Sequence, residues 1–349
     1  MKIVHVIYSL NVGGAENLLV DTVNEQIKTE NVSVIIINDS YKNCLINEID
    51  KRVNLILLKR KTASKNPYSI IKLNYLLYKI NPDVIHLHSY TLPQIIFGKF
   101  KKKVVYTVHA LDIPMKFSHK VKFMIAISDA VNKDVASRSK TPIVTIPNGI
   151  NTDKIAFRIQ ESKSKGDVFR IIQLGGLKIE YKGQDILIEA ISILKNRGIK
   201  NIEVDFIGDG KDKEFLENLA KEKQVDDCIN FLGQKTREYI YSHLKDYDLM
   251  CHPSRSEGFG LVIAEGLAAG VLTLVPNSGG PYEVIENGKY GCTFVKENAE
   301  DCANKIEYII KKQEELSEKY KNSREYVVSR YSVKKMAKEY INAYKKFIK

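Results

Sequence analysis

The sequence predicts two α/β domains, each built on a parallel β-sheet. At 349 residues the chain is longer than one hydrophobic core usually supports. Short β-branched segments alternate with amphipathic helical segments in both halves, which is the pattern of a parallel sheet. Between the halves, Pro147-Asn-Gly149 stops the pattern and a polar stretch through Gly166 follows, as in a linker. We therefore expect domains at 1–165 and 166–330, with a ligand site in a cleft between them.

The first half contains short, almost wholly apolar segments that predict strands buried on both faces. Predicted strands are 3–8, 32–37, 53–58, 84–88, 104–109, 123–128 and 143–146, and predicted helices are 16–28, 67–80 and 129–137.

The second half repeats this alternation without an internal sequence repeat. Predicted strands are 169–174, 203–207, 229–232, 249–252 and 272–275, and predicted helices are 184–196, 211–224, 259–269 and 299–312. A long amphipathic helix, 332–348, ends the chain.

Composition is that of a soluble globular protein, with 44% hydrophobic and 28% charged residues. The five cysteines are scattered and form no Cys-x-x-Cys pair, which argues against a disulfide framework or a zinc site and indicates a reducing compartment. We find no apolar run long enough for a signal peptide or a membrane span. The expected location is the cytoplasm.

The net charge of +12 is concentrated in the first half, where residues 1–165 hold 25 Lys and Arg against 13 Asp and Glu. Such an excess usually marks a solvated face, but it also suits an anionic membrane surface, where each basic residue contributes roughly 1 kcal/mol. Nucleic acid would require aromatic platforms or a recognised reading motif in the basic region. We expect no nucleic-acid partner and a peripheral contact with the inner face of the cell membrane.

The strongest candidate for chemistry is the segment Ser-Glu257-Gly-Phe-Gly-Leu-Val-Ile-Ala-Glu265. Glu257 lies in a turn after a predicted strand, and Glu265 lies inside the helix predicted to begin at Phe259. The amides of Phe259, Gly260 and Leu261 at the start of that helix predict an anion site suited to a diphosphate. Gly258 and Gly260 allow a ligand to approach the backbone. Carboxylates beside such a site are suited to sugar and ribose hydroxyls.

Further glycines follow other predicted strands of the second half. Lys182-Gly183 opens a predicted helix, Gly208-Asp209-Gly210 follows the next strand, and Gly279-Gly280 follows a later one. All would lie at the carboxyl ends of parallel strands, where open α/β sheets bind ligands.

With these motifs the chain resembles the family-4 retaining glycosyltransferases of the GT-B fold over nearly its whole length. The matching segments occur in the family's order: Val12-Gly-Gly-Ala-Glu16, Val84-Ile-His-Leu-His88, Val108-His109, Ile146-Pro-Asn-Gly-Ile150, Tyr181-Lys-Gly183, Gly208-Asp-Gly210 and Glu257-Gly-Phe-Gly through Glu265. The resemblance implies two facing Rossmann-like domains. The first, to which the helix in 331–349 returns, would bind acceptor, and the second would bind donor.

The resemblance also implies roles for individual residues. Glu257 would hold hydroxyls of the donor sugar, Glu265 the ribose and Lys182 the diphosphate, while Gly14 would lie on the phosphate side of the first domain's loop. His109 would approach the reacting sugar. Catalytic candidates are therefore Glu257, His109 and Lys182, and the remaining donor-binding candidates are Gly14, Gly208, Asp209, Gly258, Phe259, Gly260, Leu261 and Glu265.

The chain departs from the family at one position. The family usually has Gly-Arg-Leu six residues before the lysine, whereas this chain reads Gly175-Gly176-Leu177. Another cation, Lys178, Lys211 or Arg255, would have to contact the phosphates. The sequence leaves these three open.

Three other patterns have simpler explanations. Asp246-Tyr-Asp248 matches a metal-chelating Asp-x-Asp, but it leads into a buried strand, and we interpret it as a solvated strand entrance. His86 and His88 are interpreted as strand residues satisfied by backbone. Gly13-Gly14 lacks the Gly-x-Gly-x-x-Gly spacing of a dinucleotide site, so no cofactor is expected.

The residues and the resemblance together predict a metal-independent transfer of a sugar from a UDP- or GDP-sugar to a glycan or lipid-linked hydroxyl, as in the synthesis of a surface polysaccharide. That the transfer is retaining is implied by the resemblance alone. Two alternatives stay open. A nucleotide-sugar epimerase of the same fold would release free epimer without an acceptor, and a non-catalytic module would only bind the nucleotide sugar.

Overall fold

The computed structural model describes residues 1–158 and 167–348. Within it the chain forms two compact units, one made by Met1–Ile150 with the segment from Tyr331 onward, the other by Asn151–Arg330. The predicted boundary at residue 165, and residues 159–166 of the predicted linker, lie outside the described residues.

The first unit is built on a seven-stranded parallel sheet in the order β3-β2-β1-β4-β5-β6-β7. Its strands are β1 (Lys2–Ile7), β2 (Asn31–Asn38), β3 (Asn54–Arg60), β4 (Val84–Leu87), β5 (Val104–Val108), β6 (Phe123–Ala126) and β7 (Ile143–Thr145). Strands β1 and β4 are neighbours in register, and the order of the sheet reverses between them. A sheet that reverses in this way opens a crevice at the carboxyl ends of these two strands.

Helices cover the first sheet because its central strands are apolar on both faces. They are α1 (Gly14–Gln26), α2 (Asn43–Glu48), α3 (Tyr68–Ile80), α4 (Asp129–Arg138) and, from the end of the chain, α14 (Val333–Phe347), with 3-10 helices at Leu92–Ile95, Gly98–Lys103 and Ser118–Lys120. Helix α14 contributes Tyr340 and Tyr344 to the same buried cluster as Ile3 and Phe123, so the tail is part of this unit's core.

The return of the tail to the first unit depends on Gly149. A Cβ at that position would lie 2.6 Å from the Cα of Val333, and the neighbouring Ile150 forms a parallel bridge with Ser332. The glycine of the Pro-Asn-Gly-Ile segment therefore serves a close approach between two backbones.

The second unit is built on a six-stranded parallel sheet in the order β10-β9-β8-β11-β12-β13. Its strands are β8 (Phe169–Leu174), β9 (Ile202–Ile207), β10 (Ile229–Gly233), β11 (Leu249–Cys251), β12 (Leu272–Pro276) and β13 (Cys292–Phe294). This sheet reverses between β8 and β11.

The second unit's core packs helices on both faces of its sheet, with fully buried residues such as Leu187, Val204 and Ile306 at its centre. The helices are α5 (Ile179–Lys182), α6 (Gln184–Asn196), α7 (Lys213–Glu222), α8 (Arg237–His243), α9 (Leu261–Ala269), α10 (Gly280–Val284), α11 (Ala299–Lys311), α12 (Gln313–Lys319) and α13 (Ser323–Tyr331), with 3-10 helices at Thr152–Lys154 and Leu244–Asp246.

Two parallel Rossmann-like sheets confirm the predicted fold class. The short elements α2, α5, α8, α10, α12, α13 and β13 were not predicted, because a segment of so few residues shows too little periodicity to be recognised. Lys182 ends α5 rather than opening the next helix, and Gly183 precedes α6. Among the described residues, no helix combines the length and the apolarity that crossing a membrane requires.

Candidate active site

The candidate site of the second unit lies where its sheet reverses. Lys182 follows β8, and His252 and Glu257 follow β11, the strand on the other side of the reversal. The chain thus brings together Lys182 and Glu257, two residues that the sequence selected independently.

Lys182 and Glu257 form a half-buried ion pair between Nζ and Oε2. The same carboxylate oxygen lies 3.5 Å from Nε2 of the fully buried His252. Burial acts to raise the pKa of Glu257, but the hydrogen bond from His252 and the charge of Lys182 outweigh it and hold that pKa at about 2. Glu257 is therefore an ionised hydrogen-bond acceptor at neutral pH, not a general acid.

Glycines allow the loops after β8 and β9 to meet beside this pair. Gly208 has a φ of +149°, and a Cβ there would lie 2.0 Å from the carbonyl oxygen of Gly175. Gly210 is equally close to the Leu177 backbone, whose amide donates to the Asp209 carbonyl at 3.0 Å. The predicted Gly-Asp-Gly segment thus shapes the backbone at the carboxyl edge of the sheet.

The turn 257–260 leads into α9. Gly260 is the N-cap with a φ of +99°, so the helix begins at Leu261 and the predicted start at Phe259 is wrong by two residues. Phe259 is buried, and its backbone packs against Gly280, where a Cβ would lie 2.5 Å from the Phe259 Cα. In the part of the chain that the structure describes, the amides of Gly260 and Leu261 donate to no acceptor. Together with the buried Gly258 they leave backbone donors available to an anion.

Glu265 projects from the second turn of α9 and is held by Tyr241. The buried Tyr241 hydroxyl donates to Oε1 of Glu265 at 3.0 Å and accepts from Nε of Arg237 at 2.9 Å. This chain of contacts fixes the orientation of the carboxylate.

Of the three cations that could replace the missing arginine, Arg255 already has partners. Its guanidinium makes two bonds of 2.7 and 2.8 Å to Asp185 and a third of 2.9 Å to the carbonyl of Ile179. Lys178 and Lys211 are exposed and have no ion pair with any described residue. The geometry favours these two lysines over Arg255 for contact with phosphate.

The first unit places its candidates at the matching edge of its own sheet. Gly14 is exposed at the first position of α1, directly after the loop that follows β1. His109 follows β5 and is half-buried. Burial lowers the pKa of His109 to about 4, so its imidazole is neutral at neutral pH.

His109 ends a row of imidazole rings that crosses the reversal of the first sheet. Nε2 of His109 lies 3.3 Å from Nδ1 of His88, whose Nε2 lies 3.0 Å from Nδ1 of His5. Nε2 of His5 in turn contacts Oε1 of the buried Gln26 at 2.7 Å. The ring of His86 stacks on that of His88, with centroids 4.6 Å apart, and lies tilted against that of His5, with centroids 5.0 Å apart.

The hydrogen bonds along this row of neutral imidazoles all run in the same direction, from His109 towards Gln26. With the amide oxygen of Gln26 accepting, His5 donates from Nε2 and accepts at Nδ1, which makes His88 a donor at Nε2 and an acceptor at Nδ1. His109 then carries its hydrogen on Nε2, and its Nδ1, which has no partner among the described residues, is an acceptor. Such a ring is suited to accept a hydrogen bond from a hydroxyl.

The row also contains a set of potential metal ligands. Ligand atoms of His5, His86 and His88 lie within 4.8 Å of one another. However, His86 bonds Tyr344 at 2.5 Å and Thr107 at 2.6 Å through its two nitrogens, and both nitrogens of His5 and of His88 are used within the row. Hydrogen bonding therefore accounts for these rings by itself.

Two interpretations of the sequence are wrong. His86 and His88 are satisfied by side chains rather than backbone, because the rings stand on neighbouring strands in register. Asp248 is not solvated but buried, where it accepts from the Arg158 guanidinium and the Arg170 amide, each at 2.8 Å.

Sequence reasoning also missed His252, Tyr241 and His5. His252 precedes the Glu257 turn by five residues at a strand end, which was a usable signal. His5 could have been found by aligning strands 3–6 and 84–87, since this register pairs it with His86. Tyr241 carried no signal, because its helix is seven residues long.

Two family models match this chain, one in each half. Residues 12–154 match the model described as Glycosyltransferase Family 4, and residues 154–326 match Glycosyl transferases group 1. An uncharacterized glycosyltransferase of Methanocaldococcus jannaschii is 29% identical over 251 residues, which cover 66% of each chain. N-acetyl-alpha-D-glucosaminyl L-malate synthase of Bacillus anthracis is 25% identical over 290 residues, covering 76% of this chain and 74% of that one.

Solved structures agree with these matches. A crystal structure of Anabaena Alr3699/HepE in complex with UDP and glucose superimposes with a TM-score of 0.81 at 18% identity, covering 99% of this chain and 100% of that one. At this identity the likeness concerns the fold.

Proposed function

This chain belongs to the family-4 glycosyltransferases of the GT-B fold, and we propose that it transfers a sugar from a nucleotide-diphosphate sugar to a hydroxyl of a glycan or lipid-linked acceptor. The observation that carries the proposal is the Lys182–Glu257 pair at the reversal of the second sheet, beside the open amides of Gly260 and Leu261. A site with a cation, backbone donors and an ionised carboxylate is suited to a molecule that has both phosphates and hydroxyls.

In the proposed reaction the acceptor hydroxyl attacks the anomeric carbon, the bond from that carbon to the diphosphate oxygen breaks, and the hydroxyl proton passes to the departing nucleoside diphosphate. Lys182 and the two amides stabilise the negative charge that develops on the leaving diphosphate. Glu257, with its pKa at about 2, accepts hydrogen bonds from hydroxyls of the sugar, and Glu265 accepts from the ribose. Nδ1 of His109 accepts a hydrogen bond from a sugar hydroxyl, and Gly14 allows the loop that follows β1 to approach phosphate.

We propose that the transfer retains the anomeric configuration and requires no metal, and that the donor is a UDP- or GDP-sugar. The Anabaena protein of similar fold, solved in complex with UDP and glucose, supports a nucleotide-sugar donor. The role proposed for Lys182 supports metal independence, because its positive charge would stabilise the leaving diphosphate in place of a metal ion.

Product analysis tests this function. The protein is incubated with a panel of UDP- and GDP-sugars, with and without a lipid extract, in the presence and absence of chelator. Sugar transfer appears as acceptor-dependent release of nucleoside diphosphate, undiminished by chelator, and the anomeric proton coupling of the product reports retention. Free epimer without acceptor would assign the epimerase, and binding without turnover of any donor would assign the non-catalytic module.

The glycine at position 176 gives a prediction on donor affinity. A Cβ at Gly176 meets only the Asp209 carbonyl oxygen, at 3.5 Å, and the residue is not in the left-handed region, so a side chain fits. Gly176→Arg, which restores the family's usual residue, is expected to lower the Kd for a nucleoside diphosphate about tenfold, the effect of one added charged hydrogen bond. Isothermal titration calorimetry measures this value.

Matched variants separate charge from shape. Gly176→Ala should leave the Kd unchanged, whereas Lys178→Ala and Lys211→Ala should raise it if these lysines replace the arginine. A Gly176→Arg variant that binds no more tightly than Gly176→Ala would show that the phosphates lie elsewhere.

A further inference from the structure

The largest group of exposed apolar side chains in the described part of the first unit lies on α3. Tyr68, Ile71, Tyr75 and Tyr78 are between 61% and 67% exposed. At 100° per residue these four positions fall within an arc of about 80°, and the buried Ser69, Leu73 and Leu77 lie on the opposite side of the helix. We call the four exposed residues the α3 stripe.

Phe97 extends the α3 stripe sideways. The Asn74 side chain donates to the carbonyl of Ile95 at 2.8 Å and accepts from the amide of Phe97 at 2.9 Å. This clamp holds the loop against α3 and leaves Phe97 half exposed beside the stripe.

Basic residues border the α3 stripe. Lys99 places its Nζ 5.2 Å from the Tyr78 ring centroid, and the buried Phe100 anchors the 3-10 helix that carries Lys101 and Lys102. Exposed Lys72 lies on the other flank. From 51 to 103 the chain has twelve Lys and Arg but one acid, Asp83. The Asp83 carboxylate accepts from the amide of Lys2.

We propose that the α3 stripe, Phe97 and the flanking lysines bind the surface of an anionic phospholipid bilayer, with α3 lying in the plane of the interface. The proposal deepens the acceptor side of the proposed function, since an enzyme that uses a lipid-linked acceptor must reach it at the bilayer.

The residue types distinguish this partner from others. Tyrosine concentrates at membrane interfaces, where its ring contacts acyl chains and its hydroxyl contacts headgroups. Lysines on the same face extend to anionic headgroups. A protein partner is disfavoured because lysine is depleted at protein interfaces. Single-stranded nucleic acid requires a basic groove, whereas the outer face of one helix is convex.

The chain has no tryptophan, so one introduced indole reports on this surface alone. Tyr75→Trp is mixed with vesicles of phosphatidylcholine containing phosphatidylglycerol, without donor or acceptor. Its emission should move to shorter wavelength and be quenched by brominated acyl chains. Tyr308→Trp, at a 46% exposed position of the second unit, is the matched control and should show neither change.

Cosedimentation of the full chain measures the strength of binding. Tyr68→Ser, Ile71→Ser, Tyr75→Ser and Tyr78→Ser combined are expected to weaken vesicle binding at least about tenfold, because they remove the apolar contact. Lys72→Ser, Lys99→Ser, Lys101→Ser and Lys102→Ser combined should remove its dependence on salt and on anionic lipid. Phe215→Ser with Tyr308→Ser, which removes exposed rings from the second unit, should bind like the parent chain.

Folding of each variant is checked by its Tm and by nucleoside diphosphate binding. The proposal is overturned if the parent chain ignores anionic vesicles at low salt, or if the serine variant of the α3 stripe binds them unchanged. It is also overturned if the stripe instead supports binding of a single-stranded oligonucleotide or self-association in the absence of lipid. No sugar is transferred in these experiments, so an absence of vesicle binding would not contradict the proposed sugar transfer. Likewise, an absence of sugar transfer would not contradict vesicle binding.

Discussion

Replacement of Lys182 by alanine is expected to lower kcat about 10²- to 10³-fold, the loss found when one preorganised donor to a developing negative charge is removed. Lys182 is the cation nearest to Glu257, and no other described residue forms an ion pair with that carboxylate apart from His252, whose pKa burial lowers. The variant therefore lacks the charge that would neutralise the departing diphosphate. Steady-state kinetics with a chosen donor measures the effect.

A charge-preserving variant is the control for Lys182→Ala. Lys182→Arg keeps the cation but changes its shape, so it should recover part of kcat, whereas Lys182→Met, which keeps the length without the charge, should match alanine. If kcat stays near that of the parent chain and only the donor KM rises, Lys182 binds ground state and transition state equally and has no catalytic role.

The Lys182–Glu257 ion pair also predicts that the losses of activity caused by Lys182→Ala and by Glu257→Gln are not additive. Lys182→Ala leaves the Glu257 carboxylate without its main counter-charge, so its pKa should rise. Glu257→Gln in the same chain then removes a group already perturbed, and the double variant should lose less activity than the product of the single losses.

The sequence predicted the architecture because strand and helix periods repeat through both halves, and the segments around Lys182, Glu257 and Glu265 marked these residues as candidates. It could not predict the contact between Lys182 and Glu257, which are 75 residues apart and meet only because β8 and β11 are neighbours. The same holds for Asp248, whose burial depends on Arg158 and Arg170 from distant segments.

The histidine row shows the same limit. His5, His86, His88 and His109 lie on or just after three different strands. His5 was not selected from the sequence, and His86 and His88 were considered apart from His109. Only the pairing of β1 with β4 and of β4 with β5 places the rings in contact. Likewise, the exposed face of α3 was hidden in the sequence, because residues 68–80 are apolar on more than one side of the helix and the pattern does not say which side is buried.

The histidine row predicts that the first unit is labile to acid. Burial lowers the pKa of His5, despite its hydrogen bond to Gln26, and of His109, each to about 4. His86 and His88 have pKa values well below the usual range, because burial and then the neighbouring rings disfavour their charged forms. At a pH between about 4 and 6.5, all four rings are therefore neutral in the folded chain, whereas the same histidines are protonated in the unfolded chain.

The sign follows from proton linkage. Between pH 6.5 and 4 the unfolded state binds more protons than the folded state, so stability is greatest above pH 6.5 and falls as the pH is lowered. Each ring costs up to about 1.4 kcal/mol per pH unit, and less near pH 6.5 where the unfolded histidine is only half protonated, so His5 and His109 alone cost about 3 kcal/mol between pH 6.5 and 5. That is a large share of the roughly 5–15 kcal/mol that stabilises a typical domain. Glu257 does not contribute here, since a pKa of about 2 means that its stabilisation is lost only as pH falls below about 4.5.

Chemical unfolding at pH 8, 7, 6 and 5 tests this prediction through the slope of the unfolding free energy with pH. His5→Gln should reduce that slope below pH 6.5 by about one proton, a change that a mere loss of packing would not produce. His119→Gln is the matched control, because His119 is exposed and remains in water on folding. A parent chain whose unfolding free energy is flat between pH 7 and 5 would mean that the rings take up protons in the folded state. In that case the one-way hydrogen-bond chain from Gln26 to His109 could not persist in weak acid, and Nδ1 of His109 would cease to be an acceptor there.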